Sequence, residues 1–429
     1  MTSPTRRRAA TDDDRRAVAE WAASGAMAIS GRSDGLPLGP PDRLVAGLQH
    51  LASVVANRSA ALGHEVRLDP VAILGERAAI GGLGRQGTTS CGGTTRLVRA
   101  VDGWLAVALP RPEDRDLLPA WLGIDVSDDP WATVVAEIGR RPAHEGAERA
   151  WVLGLPVSEL EYQPVGPSPA PPRLAALPVR TTRIHGPVPD PRPLTDLTVI
   201  DLTSLWAGPL CGHLLTLAGA RVVKVESTGR PDGSRRGPAG FFDLLNGGKR
   251  AAALDLADAC GWDVLRRLLN VADVVIEGSR PRVLEQHGIV AADLVADGPR
   301  VWVSITGYGR TGPARDRVAF GDDAAVAGGL VVADEAGPCF CADAVADPAA
   351  GLAATAACLD ALAVPGRWLV DVSLAGVAAS LAGPTLVGEV GAPNGPLDVA
   401  PPRARPVTSP GPALGEHTAA VLNRLGVAT

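Results

Sequence analysis

Residues 194–226 read LTDLTVIDLTSLWAGPLCGHLLTLAGARVVKVE, and this stretch decides the fold class. Residues 197–202 form a short apolar run of strand length, Ala207-Gly208-Pro209 breaks it, and 210–217 offer an apolar helical face that Gly219 ends. Residues 221–225 then read as a second buried strand, so the whole is a βαβ unit. The turn after the first strand of such a unit aims backbone N–H groups and a helix N-terminus over the sheet edge, which suits a phosphate or carboxylate. A ligand is therefore expected near residues 205–208.

Downstream, strand-like runs at 251–254, 272–277 and 301–306 alternate with helical patterns at 261–269 and 283–287. That alternation predicts an α/β fold with a largely parallel sheet covered on both faces. Ala-rich helices are expected at 348–363 and 372–382, and a closing helix at 414–425. Upstream, Asp12 or Asp13 is expected to cap a helix running to about Ser24, and residues 42–61 carry apolar residues at amphipathic helical spacing. A Gly- and Ser/Thr-rich loop follows at 78–95. Residues 97–109 read as a hairpin turned at Asp102-Gly103, with helices at 113–122 and 131–138. Residues 164–193 are Pro-rich and cannot sustain a helix or a central strand, so they are expected to link a smaller α/β region at 1–163 to a larger one at 194–429.

The chain has 429 residues, a net charge of -6 and only 3% aromatic residues. A core of Ala, Val and Leu follows, and neither a basic field nor an aromatic-basic stripe speaks for nucleic acid. The charged amino terminus lacks a following apolar region, and the apolar run 370–390 is broken by Gly383-Pro384, so neither a signal peptide nor a membrane span is expected and a cytoplasmic location is. The 6 cysteines are scattered without zinc-like spacing, and no metal site is expected. Basic residues are almost all Arg; the two lysines, Lys224 and Lys249, lie in or just after the βαβ unit. A compact ammonium there suggests a point charge for a phosphate, against the plainer reading of two solvated lysines.

Beyond the βαβ unit, the pieces NGGKRAAALDL, ADVVIEGSRP, SITGYGRTGP, ADPAAGL, VDVSLAGVAA and LGEHTAAVLNRLG follow in order. Together they resemble the class III CoA-transferases, the CaiB/BaiF family. The segment AVDGWLAVALPRPEDRDLLPAWLG resembles that family's small domain. There the small domain follows; here it comes first, so the chain resembles a permuted version with the Pro-rich stretch as the new join. The resemblance implies a Rossmann-like sheet domain plus a smaller α/β domain and a homodimer. It also implies coenzyme A as a substrate with no permanently bound cofactor, and an acyl-CoA and a carboxylic acid as partners.

Transfer of CoA between carboxylates calls for a nucleophile that forms a mixed anhydride and then a thioester, and a side-chain carboxylate does both. The resemblance implies an Asp between a Gly-Gly and a Gly-Pro. Here Gly328-Gly329 and Gly337-Pro338 flank Asp334 and Glu335, with Asp334 preferred, Glu335 an alternative, and a solvated turn the plainer reading. The related racemases use an Asp eight residues before the second Gly, where this chain has Gly321, followed by Asp322 and Asp323; that mismatch lowers a 2-methylacyl-CoA racemase reading. A non-catalytic protein that retains the fold is a further alternative. For CoA itself, the resemblance points to Trp206, Ala207, Gly208 and Pro209 in the loop, and to Lys224, Arg235 or Arg236, Asn246 and Lys249 near the adenosine and phosphates. Gly278 and Gln286 depart from the family pattern at positions commonly Asn and basic. The loop 81–93 is expected to cover the intermediate, its backbone N–H groups able to meet an oxyanion.

Overall fold

The computed structural model describes residues 11–160, 178–386 and 397–427. Among the described residues twelve strands are formed: β1 Thr95–Arg99, β2 Trp104–Ala108, β3 Val157–Leu160, β4 Val179–Ile184, β5 Thr198–Asp201, β6 Arg221–Ser227, β7 Arg250–Leu254, β8 Val274–Glu277, β9 Val301–Thr306, β10 Val332–Asp334, β11 Gly337–Cys339 and β12 Arg367–Ser373. The fold is mixed α/β around one large, mainly parallel sheet of 7 strands in the order β4-β12-β9-β8-β5-β6-β7. All its pairings are parallel except that of β12 with the edge strand β4.

Strand periodicity explains the two faces. Val199, Val274, Val301, Val303, Val370 and Val372 turn to one core, and Ile200, Val223, Val275 and Trp302 turn to the other. The first core is filled by helices Ala207–Leu217 and Ala346–Ala363, and also by Trp21, Leu44, Leu48 and Val55 from helices Asp12–Ser24 and Leu44–Leu62. Residues from Val18 to Ala78 therefore contribute to the core of the large sheet. Thr11, not Asp12 or Asp13, caps the first helix, accepting from Asp14 N–H while the Asp14 side chain accepts from Thr11 N–H.

The smaller sheet is antiparallel, β1-β2-β3, with β1 and β2 paired as the expected hairpin. Val98, Leu105 and Val107 face its own helices, whereas Leu97, Ala106 and Leu160 face Val326, Val331 and Phe340 of the second half. Of the Pro-rich stretch, residues 164–177 lie outside the described residues. Residues 179–184 form β4: the stretch accommodates an edge strand, where one side needs no ladder partner. The apolar run from residue 370 opens as the end of β12 before the helix Leu374–Leu381. Among the described residues no helix is long and apolar enough to cross a membrane.

Candidate functional site

Strand order sets the site. From β5 the chain moves outward through β6 to β7, then returns to the other side of β5 through β8, β9 and β12. The order reverses between β5 and β8, and the crevice beyond their carboxyl ends is where an open α/β sheet receives a ligand. Two segments frame it: Leu202–Pro209 after β5, and Gly278-Ser279-Arg280 after β8.

The first segment is a tightly braced loop. Leu205 has φ 71°, a left-handed conformation costly for a branched side chain, and its N–H donates to Asp232 at 3.0 Å. Gly208 is required for space, since a Cβ there would stand 2.2 Å from the Thr203 side chain. The Lys249 ammonium donates to Asp201 (2.9 Å), to the Pro209 carbonyl (2.9 Å) and to Asn246 Oδ1 (3.0 Å), while Lys224 donates to the Thr203 carbonyl (2.8 Å) and pairs with Asp232 (2.8 Å). Burial alone would push Asp201 up, but Lys249 and Lys224 outweigh it and hold the carboxyl below its ordinary value.

Both lysine side chains have no exposed surface, and Asn246 is buried as well. Neither expectation for the lysines holds: they are not solvated, and they do not stand as point charges open to a phosphate. Their charge is spent on two buried carboxylates and on loop carbonyls, so they shape the loop from below. Arg235 is similarly engaged, bonded to Glu226 at 2.6 and 2.9 Å. Arg236 is exposed, with its guanidinium beside Gly233.

Sequence reasoning named Arg236 but not the arginines gathered at the end of β8. Burial, then the neighbouring Arg282 and Arg111, with Arg230 adding, lower the Arg280 pKa against the opposing pull of Asp316, so several guanidinium groups lie near the β8 end. Among the described residues, Arg230, Arg236, Arg280 and Arg282 make no ion pair or side-chain hydrogen bond. Arg111 reaches the same place from the smaller region while bonded to Asp114. The signal was present in ADVVIEGSRP, where an Arg-Pro directly follows a buried strand.

On the other side of the loop, Trp206 is 2% exposed, its indole N–H has no acceptor, and the Arg77 guanidinium lies 5.6 Å from its ring centre. Arg77 forms a two-pronged bond to Asp343 (Nε at 2.8 Å), and Gly92 of the Gly-rich loop lies beside it. The same loop and β1 hold Asp322, whose carboxylate accepts from Thr95 Oγ1 at 3.3 Å and from Ala344 N–H at 3.1 Å. Asp323 is fully buried and caps its own helix by accepting from Phe320 N–H at 2.7 Å.

Asp334 lies apart. It ends β10 in the hairpin to β11, bonds Arg32 at 2.9 Å and accepts from Ala336 N–H at 2.9 Å. Glu335 occupies the exposed turn. No hydrogen bond, ion pair or ring contact joins either residue to the 206–209 loop among the described residues. Among those residues no His, Cys, Asp and Glu are grouped so as to hold a metal ion.

Comparison with known proteins matches residues 194–410 to the sequence model described as CoA-transferase family III. Succinyl-CoA--D-citramalate CoA-transferase of Chloroflexus aurantiacus is 36% identical over 148 residues, 33% of this chain and 37% of that protein. Human succinyl-CoA:glutarate CoA-transferase is 32% identical over 148 residues, 33% of this chain and 34% of its own length. The matches thus span about a third of the curated relatives' length. A CAIB/BAIF family protein from Brucella suis aligns with a TM-score of 0.41 at 31% identity, covering 44% of this chain and 55% of that one.

Proposed function

The chain belongs to CoA-transferase family III, and on that footing we propose that it moves coenzyme A between an acyl-CoA thioester and a carboxylic acid. The carrying observation is the unpaired arginine set at the switch point. Arg230, Arg236, Arg280 and Arg282 give a ligand with several phosphate groups what the buried lysines cannot: guanidinium forks open to bidentate contact. The phosphates of CoA lie against these groups, and its thioester end reaches the Trp206–Pro209 loop. There the unpaired indole N–H supports a polar ligand atom. Succinyl-CoA, named in several relatives, is the first donor to test.

The enzyme supplies a carboxylate that is acylated and then carries CoA as a thioester. Asp334, with Glu335 beside it, remains a candidate from the sequence, though its bonds to Arg32 and Ala336 and its lack of contact with the loop support it least. The permuted order belongs to the same proposal, supported by the packing of the first-encoded small sheet onto residues 326–340. So do a homodimer and a cytoplasmic location, which rest on the family resemblance and on the sequence. The racemase alternative gains no support, because Gly321 is hemmed in and carries no carboxylate.

Incubation with succinyl-CoA and a panel of carboxylic acids, followed by chromatography of the thioesters, tests the reaction. The expected result is a new acyl-CoA formed only when its acid is present. Hydrolysis alone, or exchange of an α-proton without an acceptor, contradicts it.

A further inference from the structure

The amino-terminal edge of the large sheet, opposite the crevice, holds a different set of arginines. β9 is 6 residues long, so at about 3.3 Å per residue the two edges stand ~20 Å apart. At the amino edge the end of the Pro-rich stretch, residues 187–192, crosses the starts of β8, β9 and β12. It closes a cavity of about 210 Å³ whose walls include Asp190, Arg192, Asp273, Arg300 and Arg367.

Arginines fasten this segment to the sheet. Arg367 donates through Nε to the Pro187 carbonyl (2.9 Å) and through Nη1 to the Gly298 carbonyl (2.5 Å). Arg300 donates through Nη1 to the Asp190 carbonyl (3.3 Å), and through Nη2 to the carbonyls of Leu362 (2.8 Å) and Val364 (2.9 Å). Arg192 pairs with Asp273, whose other oxygen accepts from Thr198 N–H at 2.8 Å.

The charges there do not balance. Asp273 is spent on Arg192 and on the start of β5, and among the described residues neither Arg300 nor Arg367 has an ion-pair partner. Arg300 is 5% exposed, and its Nε–H has no acceptor. Burial, then the nearby Arg192, lower the Arg300 pKa against the pull of Asp273 and Asp190, so the carboxylates present do not make good what burial removes. Carbonyl dipoles hold the guanidinium groups in place without cancelling their charge, and a cation in a dry site ordinarily has a counter-charge. Three guanidinium groups and two carboxylates line the cavity, which leaves room for one more negative charge.

We propose that this cavity binds a small oxyanion, a carboxylate or phosphate group, between Arg300 and Arg367, and that the bound anion ties residues 187–192 to the sheet. Guanidinium groups offer planar N–H forks that match either group. The cavity lies under the roughly 300 Å³ at which sites for drug-sized ligands begin, so the ligand is small and is not coenzyme A. The site depends on no part of the CoA-transfer reading.

Hydrogen exchange of the unmodified chain, read by peptide mass spectrometry, tests the site with inorganic phosphate and with acetate as probes, each against sodium chloride at equal ionic strength. Peptides covering residues 185–198 are expected to exchange more slowly as the anion saturates. That protection should persist in Arg280→Ala, which alters the crevice, and should need roughly tenfold more anion in Arg367→Gln. Protection by either probe supports the site: acetate alone marks the ligand as a carboxylic acid, phosphate alone as a phosphate-bearing molecule. No protection up to about 0.1 M, or protection that chloride matches, overturns the proposal. So does protection lost in Arg280→Ala or unchanged in Arg367→Gln. Arg192→Gln, at a side chain 49% exposed, gives the same reading should Arg367→Gln not fold.

Discussion

Two sets of cations lie within one loop's reach of each other, and they do opposite work. Lys224 and Lys249 are fully buried, each bonded to a carboxylate and to a backbone carbonyl. Arg230 and Arg282 lie near enough to act on the Arg280 charge, Arg236 lies beside Gly233 under Leu205, and none of the four has an ion-pair partner among the described residues. The rarer residue type is the scaffold and the common one is the open surface. What a charge does is decided by its counter-charges, and a buried ammonium facing a carboxylate has nothing left for a ligand.

The largest expected effect tests the scaffold side. Lys249→Met strands Asp201 without its partner in a dry site, and should cost about 3–5 kcal/mol of stability, read as a lower denaturant midpoint or failure to fold. An unchanged midpoint would break the comparison. On the open side, Arg280→Ala should leave the midpoint alone and raise the CoA dissociation constant roughly ten- to hundredfold, the loss of about 1.5–3 kcal/mol for a charged hydrogen bond. If CoA binding is unmoved, the arginines are not its phosphate site.

A smaller effect concerns the buried acids. Asp347 has a folded value of about 7 against an ordinary 3.8. The folded state therefore favours its protonated form; the stability this gives is full below the ordinary value and is lost as pH rises through about 7. Asp347→Asn should raise the melting temperature by about 2 °C or more at pH 8, with the gain fading by pH 4. The smallest change is expected for Arg236→Ala: exposed at the rim, it should weaken CoA binding about threefold at low salt and less at high salt.

Much of the fold was legible because it depends on local pattern. The βαβ unit, the alternation that follows and the hairpin at Asp102-Gly103 announce themselves through period and turn residues. What escaped depends on partners far along the chain. Trp21 and Leu48 carry an ordinary amphipathic pattern that cannot say which core they join, and they join the large sheet's. Residues 179–184 look like linker until β12 offers them an edge. For the site, loop residues 206–209 could be read from their strand-turn-helix setting, but the burial of Lys224 and Lys249 could not, since it is fixed by Asp232 and Asp201. Asp347 was hidden for the same reason: ADPAAGL is visible, yet only the close approach of Gly321 from another segment shows what its carboxylate faces.

An enzyme carboxylate as the carrier is the central claim, and isotope transfer tests it directly. Unlabelled succinyl-CoA is mixed with succinate bearing ¹³C in its carbons and ¹⁸O in its carboxylates, in ordinary water. Each transfer leaves one acceptor oxygen on the enzyme, which the next donor acid carries away. The account predicts ¹³C in the succinyl-CoA and ¹⁸O in released succinate whose carbons are unlabelled. Thioester without ¹³C, or unlabelled-carbon succinate free of ¹⁸O, would contradict it.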